Sequence, residues 1–302
     1  MNLITGGTGF IGPYLINSLL KAGEKVKILS RKTSDIDFLK GKNIELVFGD
    51  LSDPYSLERA TKGVDTVYHL AALVGEKNVP YEEFEKANVI GTRNLIEACI
   101  KNEVRRFIFI SSTEAMGNVI NGNEETPCKP ITDYGKSKLE AEKIVNLYSR
   151  RIGTTIVRAS YVYGPGMRST KIAKIFIDIM KKKIIILGKG DKLINFIFID
   201  DFIKALSLIK ENSMSIGQTY IISEGRPYLL REIIEIFRRE TKAEKAIFIP
   251  RFLAPFFSGR VQKIADNSSF DITKARVDLG FYPSVALEEG IKKTIEWFKK
   301  LQ

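Results

Sequence analysis

The chain has 302 residues, 44% of them hydrophobic and 27% charged, with a formal net charge of +11. That apolar share excludes a disordered chain, and no apolar run approaches the roughly 20 residues that span a bilayer. Two cysteines (Cys99, Cys128) and one histidine (His69) exclude a disulfide framework and make a multi-histidine metal site or a histidine-based triad hard to build. No metal is expected, and acid–base chemistry falls to Tyr, Lys, Asp, Glu or Cys. The basic residues are spread along the chain, Lys181-Lys182-Lys183 being the longest run. Without interleaved aromatics they point to an anionic cofactor or small substrate, not to nucleic acid.

Taken in order, the chain opens on a strand at 2–5. It has neither the basic segment nor the long apolar core of a secretion signal, and a cleavable leader would consume part of the fold; a cytoplasmic protein is expected. Further apolar strands follow at 25–30, 44–48, 66–71, 106–111 and 154–158, separated by helical patterns such as 11–22, 81–102 and 131–151. Apolar strands alternating with helices predict an α/β fold, a Rossmann-type doubly wound parallel sheet. After Gly164-Pro165-Gly166 the rhythm changes: a helix near 171–182, short strands at 184–187 and 195–199, a helix starting at Asp200-Asp201, and a mostly helical tail from Arg226. In the last helix Leu287, Ile291, Ile295, Phe298 and Leu301 share one face. Residues 1–166 are therefore expected to form a dinucleotide-binding domain, completed by about 195–222. Residues 167–194 and 223–302 are expected to form a smaller, discontinuous α/β substrate domain closing a cleft over the sheet's carboxyl edge.

Thr5-Gly6-Gly7-Thr8-Gly9-Phe10-Ile11-Gly12 joins the first strand to the first helix. Gly6 permits the tight turn, Gly9 brings backbone close to a pyrophosphate, and Gly12 lets helix and strand pack closely. The helix N-terminus then offers N–H groups and a positive dipole to the anion. The next strand ends Leu29-Ser30-Arg31-Lys32, with no acid to bind the ribose hydroxyls of NAD. Arg31, flanked by Lys32, suits a 2′-phosphate, so NADP(H) is expected ahead of NAD.

Tyr134 and Lys138 stand four apart in a helical pattern and so share a face. An ammonium beside a phenol lowers the phenol's pKa from about 10. The phenolate can then exchange a proton with a secondary alcohol while hydride passes to or from nicotinamide. The strand at 106–111 runs into Ser111-Ser112-Thr113-Glu114 at the carboxyl edge. Ser112 is the favoured hydroxyl for holding the substrate oxygen, with Ser111 and Thr113 as alternatives.

Together these motifs resemble the extended short-chain dehydrogenases/reductases of the NAD-dependent epimerase/dehydratase type. The match extends to Gly49-Asp50-Leu51, His69-Leu70-Ala71-Ala72, Asn88-Val89-Ile90-Gly91-Thr92, Arg158 with Gly164-Pro165-Gly166, and Phe198-Ile199-Asp200-Asp201. The resemblance implies that Asp50 and Leu51 flank the adenine and that Ala71 and Ala72 run along the cofactor. It also implies that Lys138 holds the nicotinamide ribose and that Tyr161 and Val162 border the nicotinamide. Asn88 becomes structural or site-lining, and His69 a strand-end residue instead of a base. A homodimer through helices 81–102 and 131–151 is implied as well.

Ile194 stands where nucleotide-sugar members carry a diphosphate-binding arginine, which favours the dihydroflavonol reductase and hydroxysteroid dehydrogenase branch. Glu114 resembles a dehydratase acid, but its partner aspartate is Thr113 here. Arg168, Arg231 and Arg260 are candidate anion contacts, and the apolar run Phe252-Leu253-Ala254-Pro255-Phe256-Phe257 is a candidate pocket wall or core segment. The expected activity is an NAD(P)-dependent oxidoreductase acting on a secondary alcohol or ketone. The alternatives are a nucleotide-sugar epimerase (less so a dehydratase) with retained cofactor, and a non-catalytic NADP-binding sensor or scaffold.

Overall fold

The computed structural model describes residues 1–74, 79–167, 185–187, 189–241, 247–249, 261–262 and 267–300. Seven strands make the main sheet: β1 (Asn2–Thr5), β2 (Val26–Ser30), β3 (Ile44–Phe48), β4 (Thr66–His69), β5 (Arg106–Ser112), β6 (Gly153–Ala159) and β10 (Gln218–Ile222). Their order is β3-β2-β1-β4-β5-β6-β10. Every pairing is parallel. The chain reverses its direction of travel across the sheet between β1 and β4, so a crevice opens at their carboxyl ends. There Thr5 lies opposite Leu29 on one side and His69 on the other.

The central strands are apolar without alternation because both faces are covered. Ile4, Ile28, Tyr68, Ile108 and Ile110 face one core. That core also takes Leu15, Ile16 and Leu19 of α1 (Gly12–Lys21) and Phe202, Leu206 and Ile209 of the helix Ile199–Glu211. Their neighbours Leu3, Leu29, Val67, Phe107 and Phe109 face the other core, under α2 (Pro54–Thr61), α4 (Gly91–Lys101) and α5 (Asp133–Leu147). Successive side chains on a strand point to opposite faces, so one run of apolar residues feeds two cores.

Several expectations need correction. The helix foreseen over 81–102 is α3 (Tyr81–Phe84), a π-helical turn (Glu85–Ile90) and then α4. The wider turn carries Asn88, which bonds the chain beyond β4 and also α5. β4 stops at His69, since the N–H of Ala71 turns to the Thr5 hydroxyl and leaves the ladder. α2, absent from the sequence reading, is started by Asp53, whose carboxylate accepts the Tyr55 N–H, with Pro54 in the first turn.

The strand foreseen at 195–199 is β9 (Leu193–Phe198), and Ile199 already belongs to the next helix, α6 (Ile199–Glu211). β9 pairs with β7 (Tyr161–Tyr163) and β11 (Pro227–Leu229) in a separate small sheet. The tail is less uniformly helical than foreseen. After α7 (Leu230–Thr241), the short strands β12 (Ile247–Ile249) and β13 (Val261–Gln262) flank β8 (Ile185–Leu187), before α8 (Thr273–Leu279) and α9 (Leu287–Lys299). α9 buries Leu287, Ile291, Ile295 and Phe298 as its spacing requires. The helix foreseen near 171–182, the segment 252–257, Arg168, Arg260 and Leu301 lie outside the described residues. Among the described residues no helix is long and apolar enough to cross a membrane, and no cluster of side chains could hold a metal ion.

Candidate active site

The glycine loop is shaped by contacts that leave no room for side chains. Gly6 has φ +71°, and a Cβ there would lie 2.6 Å from the backbone N of Ala71. A Cβ on Gly12 would lie 2.1 Å from the carbonyl oxygen of Gly7. The Gly9 N–H closes the turn onto the Gly6 carbonyl at 3.0 Å. Ile11 gives α1 no side-chain cap, and its first turn holds no acid. Its N–H groups and dipole are thus left for an anion, so the cradle fits a pyrophosphate. Thr8 and Phe10 sit in the same loop, with Phe10 edge-on to Tyr14 at 6.1 Å. The Tyr14 hydroxyl donates to the Pro165 carbonyl at 2.7 Å and ties the Gly164–Gly166 turn over the loop.

Arg31 and Lys32 are exposed just beyond β2. The Asp50 carboxyl is held below its usual range, first by the N–H and hydroxyl of Ser52 and then by Arg31 and Lys86. Arg31 and Asp50 therefore share the end of the crevice foreseen for the adenosine. Leu51 packs against Gly91, where a Cβ would lie 2.9 Å from its own. Ala71 and Ala72 follow β4 after Leu70, and Tyr161 and Val162 open β7.

His69 is fully enclosed at the crevice floor. Its Nδ1 lies 2.7 Å from the Thr5 hydroxyl and its Nε2 2.9 Å from that of Thr92, which donates to the Asn88 carbonyl at 2.6 Å. The Thr92 proton is thereby committed, so Nε2 carries the ring proton and Nδ1 accepts from Thr5. Burial, with Lys138 adding to it, pulls the imidazole down to about 3. Both ring nitrogens are satisfied, and no proton is offered to a substrate. Asn88 accepts the Leu73 N–H at 2.7 Å and donates to the Leu73 carbonyl at 3.0 Å and the Ser137 hydroxyl at 2.9 Å. It ties the chain beyond β4 to α5.

Tyr134 lies in the first turn of α5, whose N-cap is Thr132. Gly135 lets this turn reach the turn after β5, since a Cβ there would lie 2.3 Å from the Glu114 carbonyl oxygen. The Tyr134 phenol hydrogen-bonds Ser112, whose Oγ also accepts the Glu114 N–H at 3.1 Å. Alternation on β5 decides among the three hydroxyl candidates. Ser111 faces away and donates to Glu142 at 2.5 Å, whereas Ser112 meets Tyr134. Thr113 starts the turn that follows.

Lys138 is 1% exposed, its ammonium 4.1 Å from the centre of the Phe109 ring. Burial pulls the amine down to about 7, against the opposing pull of Glu142. The phenol differs from the expectation of a lowered pKa. Burial first, and Glu114 second, push Tyr134 well above the ordinary tyrosine range, and the Ser112 hydrogen bond offsets part of this.

Beside Ser112 a small cavity is lined by Thr113, Glu114, Thr132, Tyr161, Ile194 and Asn195, among others. Thr132 donates to Glu114 Oε2 at 2.9 Å. Asn195 donates to the Ser268 carbonyl at 2.5 Å, while its buried Oδ1 has no partner among the described residues. Ile194 is buried and uncharged there. Arg231 lies elsewhere, on α7, lining a separate surface groove with Arg226 and Arg238. Thr132, Asn195 and Glu142 escaped the sequence reading. The cap position of Thr132 and the four-residue step from Lys138 to Glu142 were the available signals.

This sheet, with its glycine-cradled crevice and a hydroxyl hydrogen-bonded to a phenol at the carboxyl edge, one helical turn from a buried amine, defines an enzyme of the extended short-chain dehydrogenase class. The chain belongs to the NAD dependent epimerase/dehydratase family, whose model matches residues 2–223. It is 31% identical to a putative UDP-glucose 4-epimerase of Methanocaldococcus jannaschii, over 99% of this chain and 98% of that one. It is 29% identical to human dTDP-D-glucose 4,6-dehydratase, over 99% and 89%. Among solved structures, MoeE5 in complex with UDP-glucuronic acid and NAD superposes with a TM-score of 0.86 at 26% identity, covering 100% of this chain and 99% of that one.

Proposed function

We propose that the chain is an NAD(P)-dependent epimerase acting on a secondary carbinol of a nucleotide sugar. The meeting of Ser112 and Tyr134 one helical turn from Lys138, at the mouth of the glycine cradle, carries the reading. A nicotinamide coenzyme, when bound, would supply hydride acceptance and return. Gly6, Thr8, Gly9, Phe10, Ile11 and Gly12 would hold its pyrophosphate. Asp50, Leu51, Ala71 and Ala72 would line its path, with Tyr161 and Val162 at the nicotinamide end. Ser112 holds the substrate oxygen, Tyr134 removes and returns its proton, and Lys138 holds the ribose and supports the phenolate. Residues 1–166, with a contribution from about 195–222, would carry the coenzyme and the remainder the sugar.

A polyhydroxylated substrate is favoured by the buried Asn195 oxygen beside the cavity, which has no hydrogen-bond partner among the described residues, because a buried acceptor calls for a donor. The relatives named for nucleotide sugars point the same way. The buried Ile194 means that any diphosphate would be held by other residues. Exposed Arg31 keeps the NADP preference open to test against the NAD of the solved relatives. A homodimer through α3–α4 and α5 is supported by the outward Ile90 and Leu147, 47% and 72% exposed.

Purified enzyme incubated with UDP-glucose, UDP-glucuronate and small ketones, with each coenzyme, tests the reading. Inverted sugar should form without net release of reduced coenzyme, and Tyr134→Phe should abolish it. Stoichiometric release of reduced coenzyme would return the simple dehydrogenase reading, and wild-type turnover in Tyr134→Phe would overturn the catalytic assignment.

A further inference from the structure

Lys138 is enclosed by few charged groups. From its own helix come Tyr134 one turn before and Glu142 one turn after. β4 contributes His69 and β5 contributes Phe109, while Asn88 hydrogen-bonds the neighbouring Ser137. His69 is neutral, and the field of Glu114 falls on Tyr134. Glu142 thus brings the one negative charge that bears on the amine among the described residues.

Glu142 is itself 2% exposed and firmly held. Ser111 donates to Oε1 at 2.5 Å, the Arg158 terminal nitrogen to Oε2 at 2.8 Å, and Arg158 Nε to both oxygens at 3.2 Å. A second Arg158 nitrogen reaches the Glu124 carbonyl at 3.4 Å. Packing alone does not require this pair, because apolar residues of like volume are often as stable as a buried ion pair.

We propose that Glu142, clamped by Arg158 and Ser111, is a positioning residue that keeps the shared proton of the Tyr134–Lys138 pair on the amine and so keeps the phenol ready to accept the substrate's proton. The inference rests on the proposed role of Tyr134. The phenolate–ammonium and phenol–amine forms hold the same number of protons and differ in whether one proton sits on oxygen or on nitrogen. At about 1.5 Å of rise per residue, Glu142 stands about 6 Å beyond Lys138 and about 12 Å beyond Tyr134 along the helix axis, which sets the scale of the charge separations. With an effective dielectric constant of about 20, that difference favours the proton on nitrogen roughly tenfold, less what Arg158 offsets. Burial already works against the ammonium, so without Glu142 the amine surrenders its proton at lower pH.

The test follows the Lys138 side-chain carbon resonance against pH, together with the pH profile of kcat and coenzyme affinity. The variants are Glu142→Gln, the pair Glu142→Gln with Arg158→Gln, which leaves no lone buried charge should the single variant not fold, and Glu142→Asp, which keeps the charge. In Glu142→Gln the amine should titrate at lower pH and kcat should fall about tenfold, and in the pair by less, because the opposing Arg158 charge goes with it, with coenzyme affinity within about twofold of wild type; Glu142→Asp should recover most of kcat. An unchanged Lys138 titration and kcat profile, with Tyr134→Phe inactive, would overturn this inference alone. Turnover surviving Tyr134→Phe would instead remove the functional reading beneath it.

Discussion

His69 offers a quantitative check because it is the chain's single histidine. Its ring is neutral in the folded state, with a proton on Nε2 donated to Thr92 and Nδ1 accepting from Thr5. A second proton would have to enter at Nδ1, in a fully buried site near Lys138, which is why the folded value falls to about 3. The unfolded chain takes that proton near pH 6.5. A folded pKa below the unfolded one makes the contribution full above pH 6.5 and progressively lost as pH falls toward 3. At pH 4 the loss from this group alone is about 3 kcal/mol, at 1.36 kcal/mol per pH step. Urea unfolding of wild type and His69→Gln at pH 7 and pH 4 isolates it, since carboxylate effects are common to both. Wild type should lose about 3 kcal/mol more than the variant between the two pH values. A two-bond nitrogen–proton spectrum should show one imidazole, protonated at Nε2 and unchanged from pH 8 to about 5. A folded-state ring titrating near 6.5, or equal stability losses in the two proteins, would refute the buried neutral network.

Gly12→Ala forces a methyl into the Gly7 carbonyl. It should cost about 1–3 kcal/mol in stability and more than tenfold in coenzyme affinity by calorimetry. Asn88→Ala removes two hydrogen bonds to Leu73 and one to Ser137, leaving the Leu73 groups and the Ser137 hydroxyl without that partner. About 2–4 kcal/mol of destabilisation in urea is expected, with lowered kcat. Glu114→Gln keeps an acceptor for Thr132. An epimerase should retain turnover in that variant, whereas an enzyme eliminating water through Glu114 should stall, seen as absence of product lighter by one water in mass spectra.

Six strands of the main sheet were legible because they are short apolar runs bounded by glycine or charged turns, with 2–5 as foreseen and the strand foreseen at 106–111 ending one residue later, whereas β10 was not read as a strand. The glycine loop was legible because its spacing has one mechanical use. Long-range pairing was not. Nothing local in Leu193–Phe198 says that it leaves the main sheet for β7 and β11, and the isolated apolar run there resembles any buried strand. The π-helical turn was equally hidden, since it follows from Asn88 being drawn to Leu73 and Ser137, residues distant in sequence. The upward direction of the Tyr134 shift was hidden for a related reason: spacing reveals the neighbouring amine but neither the depth of burial nor the nearby Glu114, and those two raise it.

Burial opposes the charged forms of Tyr134 and Lys138 alike, so the site must recover ionisation through hydrogen bonds. Ser112 suits that need because its oxygen already accepts the Glu114 N–H, leaving one proton to place. Against a neutral phenol it can accept the phenol's proton, and against a phenolate it can donate its own. The same contact therefore serves both charge states by reversing direction, and it is strengthened when the acceptor is charged. An amide oxygen in its place could only accept and would favour the phenol, while an apolar side chain would leave the phenolate bare. Ser111 cannot substitute, because its proton is committed to Glu142 on the opposite face of the strand. The order of two adjacent serines on β5 thus separates the hydroxyl that follows the reaction from the one that fixes the counter-charge behind the lysine.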